Sequence, residues 1–136
     1  MSNGVYTAPY PATEPVKGYA PGSEEKESLL AKYKEMYNQE PIDVPMYIGS
    51  EEVTTNDKRK MSPPHDHSHN LGSYNFGTKE HFTKAIDAAL AAKSDWANMP
   101  WEHRASIFLK AADLLEGPFR DELNASTMLA QSKNAM

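Results

Sequence analysis

The sequence has no cysteine. That single absence removes a disulfide framework, a thiolate metal site and a thiol nucleophile. Its seven glycines are scattered and form no G-x-G pair, so no phosphate-cradling loop is written into the chain. No apolar run approaches the roughly 18 residues that a membrane-spanning helix needs. Basic charge is also scarce. With 14 Lys and Arg against 19 Asp and Glu, the net charge is −5 and the isoelectric point near 5.5. That balance offers no footprint for nucleic acid or an anionic membrane. The only basic cluster, Lys58-Arg59-Lys60, has the length of a solvated turn or an edge strand. No serine sits in a nucleophile-elbow motif.

What the chain does have is helical periodicity. Its 136 residues (15.2 kDa) suit one small domain or a piece of a larger one. The stretch 78–134 predicts three consecutive helices. In the first, Phe82, Ala85, Ile86, Ala89, Leu90 and Trp96 recur at steps of three and four. Thr78 stands as N-cap, with Glu80 where the helix dipole favours an anion. Pro100 ends that helix or opens the next. The second helix runs to about Glu116 and is apolar on more than one side, through Ile107, Phe108, Leu109, Leu114 and Leu115. Gly117 stops it, and Pro118 begins a third helix whose apolar face is read as Phe119, Leu123, Thr127 and Ala130. A helix apolar all round must be covered on several sides. The rest of the chain supplies little cover.

Residues 1–22, with Pro9, Pro11, Pro15 and Pro21, read as an extended arm. Its tyrosines (Tyr6, Tyr10, Tyr19) suit an arm laid across a protein body as well as they suit disorder. One lysine and no arginine argue against a targeting peptide. Ser23 caps a helix to about Gln39, with Leu29, Leu30, Tyr33, Met36 and Tyr37 as its stripe. Over 44–76 the pattern changes to short strands, expected to be antiparallel. Met46 to Ile48, a Gly49-Ser50 turn, and Glu51 to Thr54 read as a hairpin. Lys58 to Ser62 and Leu71 to Phe76 read as two further strands.

One cluster looks like chemistry: His65-Asp66-His67-Ser68-His69. Alternate residues of an extended segment point the same way, so three imidazoles can converge on a metal, with Asp66 as an extra ligand. A tetrahedral site more often draws its ligands from separated positions, which fix the geometry without straining one short loop. The expectation is therefore no metal site. Trp96 and Trp101 read as packing residues, Glu102, His103 and Arg104 as a solvated helix start, and Met99, Met128 and Met136 as core fillers.

Several stretches carry a family resemblance. Trp96, Arg104, IFLKAADLLE at 107–116, Glu122-Leu123 and AQSKN at 130–134 resemble the N-terminal helical segment of the aldehyde dehydrogenase superfamily. EPVKGYAPGS at 14–23, DVPMYIGSEEV at 43–53, SPPHDHSHNLG at 62–72 and AADLLEGPFRDELNASTMLAQSKN at 111–134 bring the match closest to its 1-pyrroline-5-carboxylate (L-glutamate gamma-semialdehyde) dehydrogenases. These motifs occur in the family's order, but they cover only the opening quarter of such an enzyme. The resemblance implies an α+β fragment of the α/β aldehyde dehydrogenase fold. Its parts are the arm at 1–22, the helix at 23–39, the strands and His-rich turn at 44–76, and three helices at 78–134 packing on a Rossmann-like NAD domain.

The implied activity belongs to proline degradation. A cysteine thiolate adds to the aldehyde, hydride passes to NAD, and a glutamate-activated water releases glutamate. The family places that cysteine, the base, the cofactor loop and an acidic aldehyde anchor beyond AQSKN. No catalytic, cofactor-binding or metal residue therefore maps onto this chain, which is expected to be inactive alone and to end, at Met136, as a truncation does. NAD would serve the parent enzyme. The implied partners are the remainder of the chain or a homologous subunit of a homo-oligomer, in a bacterial cytoplasm or a mitochondrial matrix. Two other readings compete: a non-catalytic helical interaction module, and a small metal-binding protein using the histidine loop. With Ile86, Leu90, Trp96, Phe108, Leu115, Phe119 and Leu129 short of cover, the chain is expected to be loose, self-associated or held by a partner.

Overall fold

Ser23 turns the chain out of the arm and into α1 (Glu24–Asn38), whose first turn carries Glu24, Glu25 and Glu27 at the positive end of the helix dipole. The computed structural model describes residues 4–10 and 12–135; Pro11 of the arm and Met136, read above as a core filler and as the truncation point, lie outside them. Five short strands follow α1: β1 (Ile42–Val44), β2 (Met46–Ile48), β3 (Glu51–Val53), β4 (Lys58–Met61) and β5 (Gly72–Asn75). Three helices complete the chain: α2 (Lys79–Asn98), α3 (Trp101–Glu116) and α4 (Arg120–Gln131).

The core lies between α1 and α4. Leu29 of α1 and Ala125 of α4 are buried together with Tyr19 of the arm, and Tyr33, Met36, Met128 and Ala135 pack around them. Ala125 has no bulk beyond Cβ, which lets α4 approach the Leu29 stripe closely. The Ser28 hydroxyl donates to Asp121 Oδ2 across the same contact, at 2.5 Å.

This arrangement corrects the expected face of α4. Phe119, Leu123 and Ala130 are exposed, and Ala125 and Leu129 are the buried residues. Leu129, counted above among the uncovered side chains, is only 3% exposed. The physical reason is that α4 carries two apolar stripes. The stripe with the small Ala125, flanked by Met128 and Leu129, fits against α1, and Phe119 and Leu123 are left on the other. The helix also begins at Arg120 and not at Pro118, because residues 117–119 form a turn in which the Phe119 N–H donates to the Leu114 carbonyl at 3.0 Å.

The strands form a three-stranded sheet, ordered β1-β5-β4, and a separate hairpin of β2 and β3. The hairpin pairs Met46 with Val53 and Ile48 with Glu51, and Gly49 supplies its turn with φ +62°. β4 and β5 are antiparallel, so Lys58-Arg59-Lys60 lies on an edge strand. There Lys58 reaches Asp43 at 2.5 Å, and the Arg59 guanidinium sits 4.7 Å from the Phe76 ring centre. β1 was not read from the sequence, and it adds a parallel pair with β5 to the antiparallel strands expected. The approach is close enough that a Cβ at Gly72, where φ is +147°, would collide with the Ile42 carbonyl. Asn75 locks the junction from a buried position. Its amide donates to Asp43 Oδ1 at 3.1 Å and to the Val44 carbonyl at 2.9 Å, and its oxygen accepts from the Thr55 N–H at 2.6 Å.

α2 and α3 differ from the other two helices in having no buried residue. Local signals still define their ends. The Thr78 N–H donates to His81 Nδ1 at 3.0 Å, and the Thr78 hydroxyl donates to Glu80 Oε2 at 2.6 Å. Pro100 is the N-cap of α3, and Gly117 closes it with an N–H to Asp113 carbonyl bond of 3.0 Å.

Candidate functional site

The exposed sides of α2 and α3 carry many of the chain's uncovered large apolar residues. Phe82, Ile86 and Leu90 follow one another at steps of four along α2 and are 60–68% exposed. On α3, Ile107, Phe108, Leu109 and Leu115 are exposed as well, and Phe119 and Leu123 continue the apolar surface onto the start of α4. Trp96 and Phe108 meet edge to face at 6.3 Å and 74°, so the two helices share one aromatic contact at their junction. The only half-buried position on α2 beyond its first turn is Ala88, which a Cβ at Gly49 of the hairpin would approach to 3.4 Å. Large apolar side chains exposed along both helices suit an interaction surface; they offer no nucleophile or base.

The histidine loop is built differently. Asp66 is its centre: it accepts the Ser68 hydroxyl at 2.6 Å, the Tyr37 hydroxyl at 2.8 Å, and the N–H groups of Ser68 and His69 at 3.2 and 3.3 Å. These donors, the Ser68 hydroxyl first and Tyr37 second, pull the Asp66 carboxyl down to about 2, and the same bond raises the Tyr37 phenol. The three imidazoles diverge. His65 Nδ1 lies 2.8 Å from the Ser132 hydroxyl, with Nε2 3.4 Å from Tyr33 Oη. The His69 ring stacks on Tyr37 at 3.8 Å, and His67 is exposed. Among the described residues no group of three or more His, Asp or Glu side chains is arranged to hold a metal. The loop instead pins α1 to the C-terminal end of α4, where Ser132 turns the chain at φ +53°.

A third feature was missed in the sequence. Tyr19 fixes the arm: its hydroxyl accepts from Asn124 Nδ2 at 3.1 Å and from Arg120 Nε at 3.4 Å. Arg120 also reaches Glu14 at 3.2 Å, and its guanidinium is held above its ordinary value chiefly by the Tyr19 bond. Tyr19 takes the left-handed conformation (φ +49°) next to Gly22 at φ +80°. The one sequence signal for that bend was the G-Y-A-P-G run at 18–22.

The strand-to-helix junction β5–α2 contains Gly77, but a Cβ there would meet Met46 Sδ at 3.1 Å, so the glycine faces protein. The N-terminus of α2 already holds the Glu80 carboxylate, lowered by the Thr78 hydroxyl and the backbone. Trp101, His103 and Arg104 sit in the first turn of α3.

Residues 52–136 match the aldehyde dehydrogenase family, and the chain belongs to it. Several relatives within that family share a name. A delta-1-pyrroline-5-carboxylate dehydrogenase of Agaricus bisporus is 46% identical over 129 residues, covering 95% of this chain and 24% of that protein. The human mitochondrial enzyme of the same name is 39% identical, covering 92% of this chain and 22% of its own length. Among solved structures, the Mycobacterium tuberculosis delta-pyrroline-5-carboxylate dehydrogenase superposes with a TM-score of 0.87 at 39% identity, over 94% of this chain and 24% of that one. The Thermus enzyme with bound NAD gives 0.81 at 26% identity, over 91% and 24%. The chain thus spans about a quarter of the length of the relatives it matches.

Proposed function

We propose that this chain is the N-terminal scaffold of an NAD-dependent dehydrogenase that oxidises L-glutamate gamma-semialdehyde, the open form of pyrroline-5-carboxylate, to glutamate. The observation that carries the reading is the agreement of sequence and backbone over more than nine-tenths of the chain with enzymes of that name. Its own residues contribute structure: Tyr19, Arg120 and Asn124 seat the arm, Asp66 ties the strand layer to α1, and α2 and α3 present the apolar face. NAD and the aldehyde would be held by the other three quarters of the enzyme, where the cysteine that this chain lacks would supply the thiolate. By itself the chain turns over nothing. On this reading the parent works as an oligomer, in the mitochondrial matrix if the source is eukaryotic and in the cytoplasm if it is bacterial; the word mitochondrial in the names of the bovine and human relatives supports the first compartment.

The test is to sequence the coding DNA downstream of this segment and express the continuous product. The reading predicts NADH formation from pyrroline-5-carboxylate, and none from the 136-residue chain alone. A continuous product that carries a cysteine and a cofactor loop yet oxidises only unrelated aldehydes would overturn it. A second reading, an independent helical interaction module, is favoured by the uncovered face itself.

A further inference from the structure

We infer that the cleft between the arm, α1 and α4 is a binding site for a small aliphatic carboxylate, held by Arg120 and Lys133 over an apolar floor. The inference concerns a site formed by this chain's own residues and is independent of the functional reading above.

The cleft has a volume of about 230 Å³. Its walls bring together Tyr19 of the arm, Leu29 of α1, Asn124 and Met128 of α4, and two cations, Arg120 and Lys133. Among the described residues no aspartate or glutamate lines it, in a chain whose net charge is −5. The fold itself creates that charge pattern. Arg120 opens α4 and Lys133 lies just past its end, yet Ser132 turns the chain at φ +53° and Ala135 packs on the Tyr19, Leu29 and Ala125 cluster. The segment after α4 thus folds back beside the helix and brings Lys133 to the same cleft as Arg120. The two cations are held differently. The Arg120 side chain is only 14% exposed, and it is oriented by the Tyr19 hydroxyl at Nε (3.4 Å) and by Glu14 at Nη1 (3.2 Å). Glu14 is a carboxylate already accepted by this guanidinium, but it lines the neighbouring cleft and not this one. Lys133 is exposed and has no ion pair among the described residues. A ligand here meets a planar, pre-oriented donor group and a flexible point charge. The guanidinium fork matches a carboxylate, and Leu29 and Met128 suit the carbon chain that a carboxylate carries and a mineral anion lacks.

The experiment titrates the chain with butyrate at constant ionic strength, using butyramide as the neutral isostere and inorganic phosphate as the mineral anion, and follows the magnetic resonance signals of the Asn124 amide and the Met128 methyl. Butyrate should give saturable shifts at both, and butyramide and phosphate should bind about tenfold more weakly, the first for want of a charge and the second for want of a carbon chain. Lys133→Gln should weaken butyrate roughly threefold to fivefold, and Lys133→Arg should restore most of the binding. Lys133 is exposed, so the circular dichroism of both variants should match wild type. Because Tyr19 is one wall of the cleft, butyrate at ten times its Kd should also slow proteolysis within the arm by about tenfold. Shifts that fail to saturate, or that are the same in Lys133→Gln, would overturn the inference. Phosphate binding as tightly as butyrate would overturn the carboxylate assignment. Saturable shifts with unchanged cleavage of the arm would put the ligand outside this cleft and overturn it as well.

Discussion

The two helix pairs of this chain contrast sharply. α1 and α4 are short, 15 and 12 residues, and only weakly apolar, yet they enclose Leu29, Ala125 and Leu129. α2 and α3 are longer, 20 and 16 residues, and less polar on average, yet they bury no residue. Hydrophobicity alone therefore does not decide what becomes core. A face is buried when a second surface exists to meet it, and the arm, α1 and the β4–β5 loop supply that surface to α4 only. Each large apolar side chain that gains cover contributes roughly 1.5–3 kcal/mol, in a domain whose net stability is about 5–15 kcal/mol. Half a dozen uncovered residues are thus a difference comparable to the stability of the whole.

The contrast makes unequal demands on mutations. Leu29→Ala should be the most damaging, costing about 2–5 kcal/mol by urea denaturation, because the cavity opens in the one place the chain is closed. Thr78→Ala should cost about 0.5–2 kcal/mol through the lost cap, read as fraying of α2 by circular dichroism. Tyr19→Phe removes the acceptor for Asn124 and Arg120, and should cost about 0.5–1.5 kcal/mol and speed proteolysis within the arm. Leu90→Ala, equally apolar but on the open face, should stay within about 0.5 kcal/mol of wild type in the free chain. If Leu90→Ala costs as much as Leu29→Ala, the two pairs are not different and the comparison fails.

Acid sharpens the same contrast. The Asp66 carboxyl is lowered from 3.8 to about 2 in the folded chain, so its bonds stabilise the fold above about 4 and lose that effect as the pH falls toward 2. Unfolding followed by near-ultraviolet dichroism should show α1, α4 and the loop losing stability through that window, with a shallower slope in Asp66→Asn. An identical acid transition in the variant would remove Asp66 from the account.

Much of this was legible in the sequence. The stripe of α2, the Gly49 turn and the stops at Pro100 and Gly117 are local signals, and each lies where those residues placed it. The buried side of α4 was not legible, because choosing between its two stripes depends on where α1 lies. β1 was lost for a related reason: three residues are too few for an alternation signal, and their pairing partner is 30 positions away. The anchor formed by Tyr19, Arg120 and Asn124 joins positions about a hundred residues apart, beyond the reach of any periodicity. The histidine loop was ambiguous in the sequence. Alternation allowed convergence, but the turn around Asp66 sends His65 to Ser132 and His69 onto Tyr37, and leaves His67 exposed.

The most direct measurement is residue-resolved amide exchange of the free chain across a concentration series. The account predicts that α1 and α4 exchange only by global opening, while α2 and α3 exchange much faster through local opening at the lowest concentrations. Equal protection of all four helices in the monomer would contradict it, because it would mean that the face of α2 and α3 needs no partner to be stable.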